Sequence, residues 1–118
     1  MSIDPSVLRP YRDLMGAEAD SFVADLIDSY LANSVELVKA MDTALAADDA
    51  PTFMRSAHTL KSNSAIFGAY LLVALCQELE LAGQNNELSG LQDKIERLNS
   101  EYRVVCRELA DLRHNLPV

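Results

Sequence analysis

The spacing of apolar residues in the last third of the chain constrains the fold more than any other feature of the sequence. Eight apolar side chains recur there at alternating intervals of three and four: Leu88, Leu91, Ile95, Leu98, Tyr102, Val105, Leu109 and Leu112. Such a heptad seam lies along one side of an α-helix and packs against other helices. We predict a helix from about Glu87 to Arg113 with its seam inside the chain's own bundle. Homodimerisation through its projecting C-terminal end is the alternative.

Four further helices are predicted upstream from apolar periodicity and helix-capping residues. Their bounds are Asp4-Pro5 to Gly16, about Glu18 to Ala47, Asp48-Asp49 to Phe67-Gly68, and about Ala69 to Gly83. Short connections place successive helices antiparallel. The sequence therefore predicts an all-α fold, an antiparallel up-down four-helix bundle with a short extra N-terminal helix. We expect a single domain over residues 1–118, with residues 1–3 and 114–118 flexible.

Composition and charge argue against several classes of protein. The 118 residues carry a net charge of −8 and contain no basic run, which argues against nucleic-acid binding. No apolar run approaches the ~20 residues of a membrane span, and no signal peptide is visible. Cys76 and Cys106 lie in apolar helical segments and are expected to be reduced thiols, which fits a cytoplasmic protein. Met1 and the helix cap at Asp4 favour a free-standing chain.

The motifs of a self-sufficient enzyme are missing from the sequence. There is no Gly-rich phosphate loop or Walker lysine, so an ATP site of its own is not expected. The two histidines, His58 and His114, are far apart in sequence and do not form a metal-ligand pair. The two cysteines lie on apolar segments, where thiols are usually inert. We expect neither a cofactor nor a bound metal.

His58 is the strongest candidate for chemistry. At about 100° per residue, it falls opposite the apolar arc of its helix and faces water. A neutral imidazole is a good nucleophile, because one ring nitrogen is unprotonated. Lys61 and Ser62 lie one turn further along the same face, where an ammonium and a hydroxyl can contact an anion on the ring. The plain alternative is that His58 and Lys61 are only solvated surface residues.

A low apolar collar surrounds His58 on the helical wheel and suits contact with another protein. Met54 and Ala65 form this collar, and we include Gly68 with them as an expected docking residue. Gly68 is also explained by the end of the helix alone, because glycine readily takes the left-handed conformation that closes a helix.

The segment from Ala57 to Ala69 resembles the histidine-containing phosphotransfer (HPt) family. It holds His58, Lys61 and Gly68 in the order H-x-x-K-x-x-x-x-x-x-G, and Leu79-Glu80 follow on the next helix, where that family commonly has a Leu-Glu pair. The similarity covers roughly residues 22–82 by motif and the rest by helix pattern. One departure is Ser62, since the family usually has glycine directly after the lysine.

The resemblance implies a phosphorelay carrier. His58 would carry a phosphoryl group between receiver-domain aspartates of a two-component system, and Lys61 would balance its charge. Ser62 is not part of the family pattern, but its position one turn from His58 lets us expect a hydrogen bond from its hydroxyl to the phosphoryl group. The expected partners are response-regulator receiver domains and a hybrid sensor histidine kinase. Magnesium would come from the receiver, and the protein would act as a monomer.

Two alternatives come from other classes of protein. The first is the histidine-bearing module of a chemotaxis-type kinase, which resembles the same motif but needs ATP-binding and dimerisation regions downstream. The second is a non-phosphorylated helical scaffold, with His58 incidental and the heptad seam as its interaction surface.

Overall fold

The computed structural model describes residues 1–118, and all of its regular secondary structure is helical. Two 3-10 helices and five α-helices follow one another: Pro5–Leu8, α1 (Arg9–Met15), Gly16–Glu18, α2 (Ala19–Ala46), α3 (Ala50–Ala65), α4 (Tyr70–Gln84) and α5 (Gln92–Asn115). α2 packs against α3 and α5, and α4 packs against the same two helices. The predicted up-down four-helix bundle with a short extra N-terminal helix is confirmed.

Capping residues start and stop the helices largely where the sequence predicted. The Asp49 carboxylate accepts a hydrogen bond from the Thr52 amide at 3.2 Å and begins α3, with Pro51 in the first turn. Gly68 has φ +64° just after α3, the left-handed conformation expected of it. These two capping features define the ends of the 16-residue helix α3, and His58 lies in its middle.

The N-terminal helix differs from the prediction in two ways. It is split into a 3-10 turn and α1, because Pro10 has no amide hydrogen and the Arg9 amide bonds to Ser6 in 3-10 fashion. The apolar spacing of Val7, Leu8, Tyr11, Leu14 and Met15 predicts that all five lie on the buried side of this helix, but Leu14 is 86% exposed. A helix as short as α1 buries only a narrow strip, and Leu14 falls outside it.

The last helix begins five residues later than predicted. Gly90 has φ +74°, which ends any helical path through residues 87–90, and α5 starts at Gln92. Six of the eight seam residues are buried; Tyr102 and Leu112 are half-buried. Leu88 and Leu91 are among the six, although they lie in the connection before the helix. The prediction that the seam packs inside the chain's own bundle is therefore confirmed.

The N-terminal segment covers the turn between α3 and α4. The Asp4 amide donates to the Phe67 carbonyl at 3.0 Å, and the amides of Ser2 and Ile3 donate to the Glu108 carboxylate on α5. The mobility of residues 1–3 and 114–118 stays a prediction, but each of these segments contains a buried side chain, Ile3 and Leu116 respectively. The extra helix thus closes one end of the bundle.

One continuous core runs through the bundle and is built from the apolar faces of all the long helices. Its largest fully buried side chains include Phe53, Phe67, Met41, Leu60 and Leu72. No helix is both long enough and apolar enough to cross a membrane. α2 and α5, with 28 and 24 residues, extend beyond the 16 and 15 residues of α3 and α4. The shorter pair carries the candidate site.

Candidate functional site

The candidate site lies on the surface where α3 and α4 run side by side in opposite directions. Gly83 permits this close contact, because a Cβ atom there would lie 2.9 Å from the Cβ of Met54. One turn further along α3, His58 faces Glu80 of α4. One turn further again, Lys61 faces Gln77. The antiparallel pair therefore sets three successive side-chain layers, and the middle layer holds the histidine.

His58 Nδ1 makes a short contact with Glu80 Oε1. The histidine side chain is 61% exposed, whereas the glutamate side chain is only 8% exposed. The nearly buried carboxylate of Glu80 therefore contacts the exposed ring of His58 on the side that faces the protein. This arrangement orients the imidazole while leaving its other nitrogen open to solvent.

Lys61 is paired with the same carboxylate. Its Nζ lies 2.8 Å from Glu80 Oε2 and 2.8 Å from Gln77 Oε1. The lysine side chain is 21% exposed, so it leans across toward α4 instead of extending into water. Glu80 therefore accepts hydrogen bonds from the residues on both sides of it, and its burial is compensated.

Glu80 is ionised at neutral pH. Hydrogen bonding from Lys61 lowers the pKa of Glu80 most, burial opposes this shift, and the His58 hydrogen bond lowers the pKa further. The lower pKa keeps a carboxylate, which can only accept hydrogen bonds, against Nδ1 of the histidine. The Nδ1 atom must then carry the ring proton, and the lone pair of the neutral imidazole lies on the exposed Nε2.

Ser62 lies on the exposed face, as predicted, but its hydroxyl already has a partner. Ser62 Oγ donates to the main-chain carbonyl of His58 at 3.2 Å. This is the ordinary bond of a serine to the preceding turn of its own helix. A hydrogen bond from Ser62 to a group on the ring requires a rotation about χ1, and it stays a prediction.

The three predicted docking residues lie in different surroundings. Ala65 is exposed on α3, and Met54 is half-buried beside Gly83. Gly68 is buried: a Cβ atom there would lie 2.7 Å from Asp4 Cβ. The positive φ of Gly68 and its contact with the N-terminal segment give it a role inside the fold, and its predicted docking role stays a prediction.

Glu80 and Gln77 are the site residues that sequence reasoning did not select. Glu80 was noted only as part of a family-like Leu-Glu pair. The available signal was its position, because it is four residues after Cys76 and three before Gly83, within the otherwise apolar side of α4. A lone acidic residue at such a position needs a partner. Only the packing of α3 against α4 shows that the partners are Lys61 and His58.

The remaining reactive side chains lie apart from this arrangement. Cys76 is buried and Cys106 is half-buried, and both are free thiols. Burial raises the pKa of Cys76 to about 12, so its thiol stays protonated. No group of three or more His, Cys, Asp or Glu side chains is placed to hold a metal ion.

Comparisons with known proteins agree with this geometry. The family model described as "Hpt domain" matches residues 25–115. The solved structure of histidine-containing phosphotransfer protein B (HptB) from Pseudomonas aeruginosa PAO1 is similar over 96% of this chain and 95% of that chain, with a TM-score of 0.82 and 29% sequence identity. No curated protein matches significantly. Because the family model spans most of the chain, including His58 and Glu80, the protein belongs to the Hpt domain family.

Proposed function

We propose that the protein is a phosphorelay carrier whose phosphoryl group is bound at Nε2 of His58. The observation that carries the proposal is the contact between ionised Glu80 and His58 Nδ1, which leaves an exposed nucleophilic nitrogen. Family membership supports a histidine phosphotransfer role. Receiver-domain aspartates, phosphorylated through a hybrid sensor histidine kinase, are the proposed donors and acceptors.

The proposed transfer begins with the lone pair of His58 Nε2. It attacks the phosphorus of an aspartyl phosphate, the N–P bond forms as the P–O bond breaks, and the aspartate leaves as a carboxylate. The Nδ1 proton stays on the ring, which gains positive charge. Glu80 stabilises that charge, because a fixed carboxylate already touches Nδ1. The reverse transfer to a second aspartate uses the same groups.

Lys61 contributes in two proposed ways. It keeps Glu80 ionised through the hydrogen bonds described above. Its ammonium also lies one turn from His58, where it can offset the charge of phosphoryl oxygens. Magnesium is proposed to be supplied by the receiver domain together with its acidic pocket. We further propose that the carrier is monomeric and acts in the cytoplasm.

The test is phosphoryl transfer from a phosphorylated receiver domain in the presence of magnesium. Wild-type protein should acquire an acid-labile, base-stable phosphoryl group, and the His58→Gln variant should acquire none while keeping its helical circular dichroism. His114→Gln is the matched control, because His114 is exposed near the end of α5 and should leave labelling unchanged. Labelling of the His58→Gln variant at the wild-type level would refute the assignment.

Glu80→Gln tests the orienting role of the carboxylate. The amide keeps the size of the side chain but removes the charge that stabilises the ring, so we expect transfer to slow by about tenfold or more. His58 should still be labelled at long times, because the nucleophile is present. A rate equal to that of the wild type would show that Glu80 only stabilises the fold.

A further inference from the structure

The segment of the chain that carries His58 contains none of the acidic residues that are common in the rest of the sequence. Residues 1–49 contain ten acidic and three basic side chains, and residues 78–118 contain eight and five. Residues 50–77 contain no Asp or Glu and two basic side chains, Arg55 and Lys61. We call the exposed side of this segment, on α3 and the first two turns of α4, the acid-free face.

Arg55 provides the unpaired positive charge of the acid-free face. The charge of Lys61 is compensated by Glu80 beneath it, whereas Arg55 forms no ion pair and is exposed. Its guanidinium donates a hydrogen bond to the Thr52 hydroxyl at 3.3 Å. Hydrogen bonds from Thr52 lower the pKa of Asp49 most, and the charge of Arg55 helps to lower it further, although Arg55 and Asp49 form no ion pair. Arg55 lies three residues before His58, one turn away and beside it on the helix surface. An exposed cation without an ion pair therefore lies next to the nucleophile in a protein of net charge −8.

We infer that Arg55, on the acid-free face, steers the carboxylate-rich pocket of the partner protein toward His58. The inference rests on the proposed function and extends it to the recognition step. The acidic remainder of the molecule repels a partner with clustered carboxylates, so such a partner should approach most readily at His58. Met54, one turn before His58 on α3, is apolar, and Ala65, two turns after it, is small, so neither obstructs close protein contact.

A nucleic-acid partner fits the same face poorly. Phosphate-backbone binding needs several cations acting together, whereas this face offers one free guanidinium inside a strongly acidic protein. A protein pocket with clustered carboxylates needs only local complementarity, and long-range repulsion elsewhere then improves orientation.

The test compares Arg55→Glu with Arg103→Glu. Arg103 is a matched control, because it is also exposed, forms no ion pair and contacts only the hydroxyl three residues before it, that of Ser100. The second-order rate constant of transfer from a phosphorylated receiver domain is measured at about 50 mM and about 500 mM NaCl. Arg55→Glu should lower it about tenfold at low salt and less than about twofold at high salt, and Arg103→Glu less than about twofold at both.

Two further measurements separate the possible failures. Phosphoramidate, a small donor without a protein surface, should label wild type and Arg55→Glu equally. Absence of His58 labelling from phosphoramidate and from the receiver refutes the proposed function itself. Two outcomes overturn only the docking inference when phosphoramidate labels wild type and Arg55→Glu equally. In the first, Arg55→Glu does not change the rate of transfer from the receiver. In the second, Arg103→Glu lowers that rate as much as Arg55→Glu does. Arg55-dependent binding of a single-stranded oligonucleotide at about 150 mM salt would also overturn it.

Discussion

Two sets of polar side chains join neighbouring helices of the bundle, and they differ in charge and in access to water. The charged cluster, Lys61, Glu80 and His58, joins α3 to α4 at the surface. The hydroxyl pairs join α2 to its neighbours: Tyr30 to Ser64 of α3 at 2.8 Å, and Ser34 to Tyr102 of α5 at 2.6 Å. Both sets pair buried polar atoms, but only the charged cluster has a highly exposed member, His58.

The hydroxyl pairs are neutral at any ordinary pH. Burial raises the pKa of Tyr30 far above its usual range, and burial raises the pKa of Tyr102 to about 12. Ser34 and Ser64 are completely buried. Such groups carry no reactive electron pair or proton under physiological conditions. Their contribution is to fix how α2 packs against α3 and α5.

The comparison separates the polar cluster at the proposed site from the polar pairs that only join helices. In the charged cluster, hydrogen bonds from Lys61 and His58 keep the nearly buried Glu80 ionised, and Glu80 in turn orients an exposed imidazole. In the hydroxyl pairs one hydrogen bond joins two neutral groups, and none of the four residues is fully exposed. Substitutions in the first set should therefore change stability and transfer together, and substitutions in the second should change stability alone.

Gly83→Val should have the largest effect on the charged cluster. The new Cβ would lie 2.9 Å from Met54 Cβ and 3.1 Å from Met54 Cα, and backbone cannot move aside without separating α3 from α4. We expect a loss of about 2–3 kcal/mol in the free energy of unfolding. Transfer should slow as well, because the His58–Glu80 layer is one turn away. Urea denaturation and receiver-dependent labelling measure the two effects.

Ala74→Val is the control for Gly83→Val. Ala74 is exposed on the same helix, so a valine there adds bulk and lowers helix propensity without entering the α3–α4 contact. It should cost less than about 1 kcal/mol. If the two variants lose equal stability, the close contact at Gly83 is not what holds the charged cluster together.

Lys61→Met should have the next largest effect, and that effect should depend on pH. The methionine leaves the Glu80 carboxylate with His58 as its remaining side-chain partner, which we expect to cost about 1–2 kcal/mol at pH 7. The folded-state pKa of Glu80 is depressed below its ordinary 4.5, mainly by Lys61. Stability from this carboxylate is therefore present above pH 4.5 and lost as the pH falls through the folded-state pKa.

The difference in unfolding free energy between wild type and Lys61→Met should accordingly shrink below pH 4.5. Urea titrations at a series of pH values measure this difference directly. The Lys39→Met variant is a control, because Lys39 is highly exposed and its pairing with Glu36 is loose, at 3.7 Å. A loss that does not change with pH would show that Lys61 acts only through packing.

Tyr30→Phe should have the smallest effect and should leave transfer unchanged. The phenylalanine keeps the edge-on packing against Phe67, whose ring centroid lies 5.4 Å away, and loses only the hydroxyl bonded to Ser64. We expect a loss of about 1 kcal/mol. The double variant Tyr30→Phe, Ser64→Ala should recover part of it, because no buried hydroxyl is then left without this partner. A transfer defect in Tyr30→Phe would remove the distinction between the two polar sets.

The fold was largely predictable because its signals are local. The heptad seam, the cap at Asp49 and the glycine at position 68 each act within a few residues, and the structure confirms them. The predicted start of α5 was wrong, because the apolar spacing continues through Leu88 and Leu91, where the chain is not helical. The predicted burial of Leu14 was wrong, because apolar periodicity does not show how much of its surface a short helix buries.

Only the part of the candidate site that lies on α3 was predictable from the sequence. The exposed position of His58 and the neighbouring positions of Lys61 and Ser62 follow from the period of α3 alone. Glu80 lies 22 residues away from His58 and Gln77 lies 16 from Lys61, so their contacts depend on the register between α3 and α4. Gly83 contributes to that register by letting the two helices approach closely.

The sequence by itself thus determined that a helical bundle forms and that an imidazole faces water, because both depend on spacing within single helices. The tertiary structure decided which nitrogen of that imidazole is free, because the answer depends on a carboxylate from another helix. It also decided that Lys61 supports this carboxylate and that Gly68 belongs to the fold. The physical reason is that burial and pairing of charge depend on distances across the bundle, which no periodicity along one helix can specify.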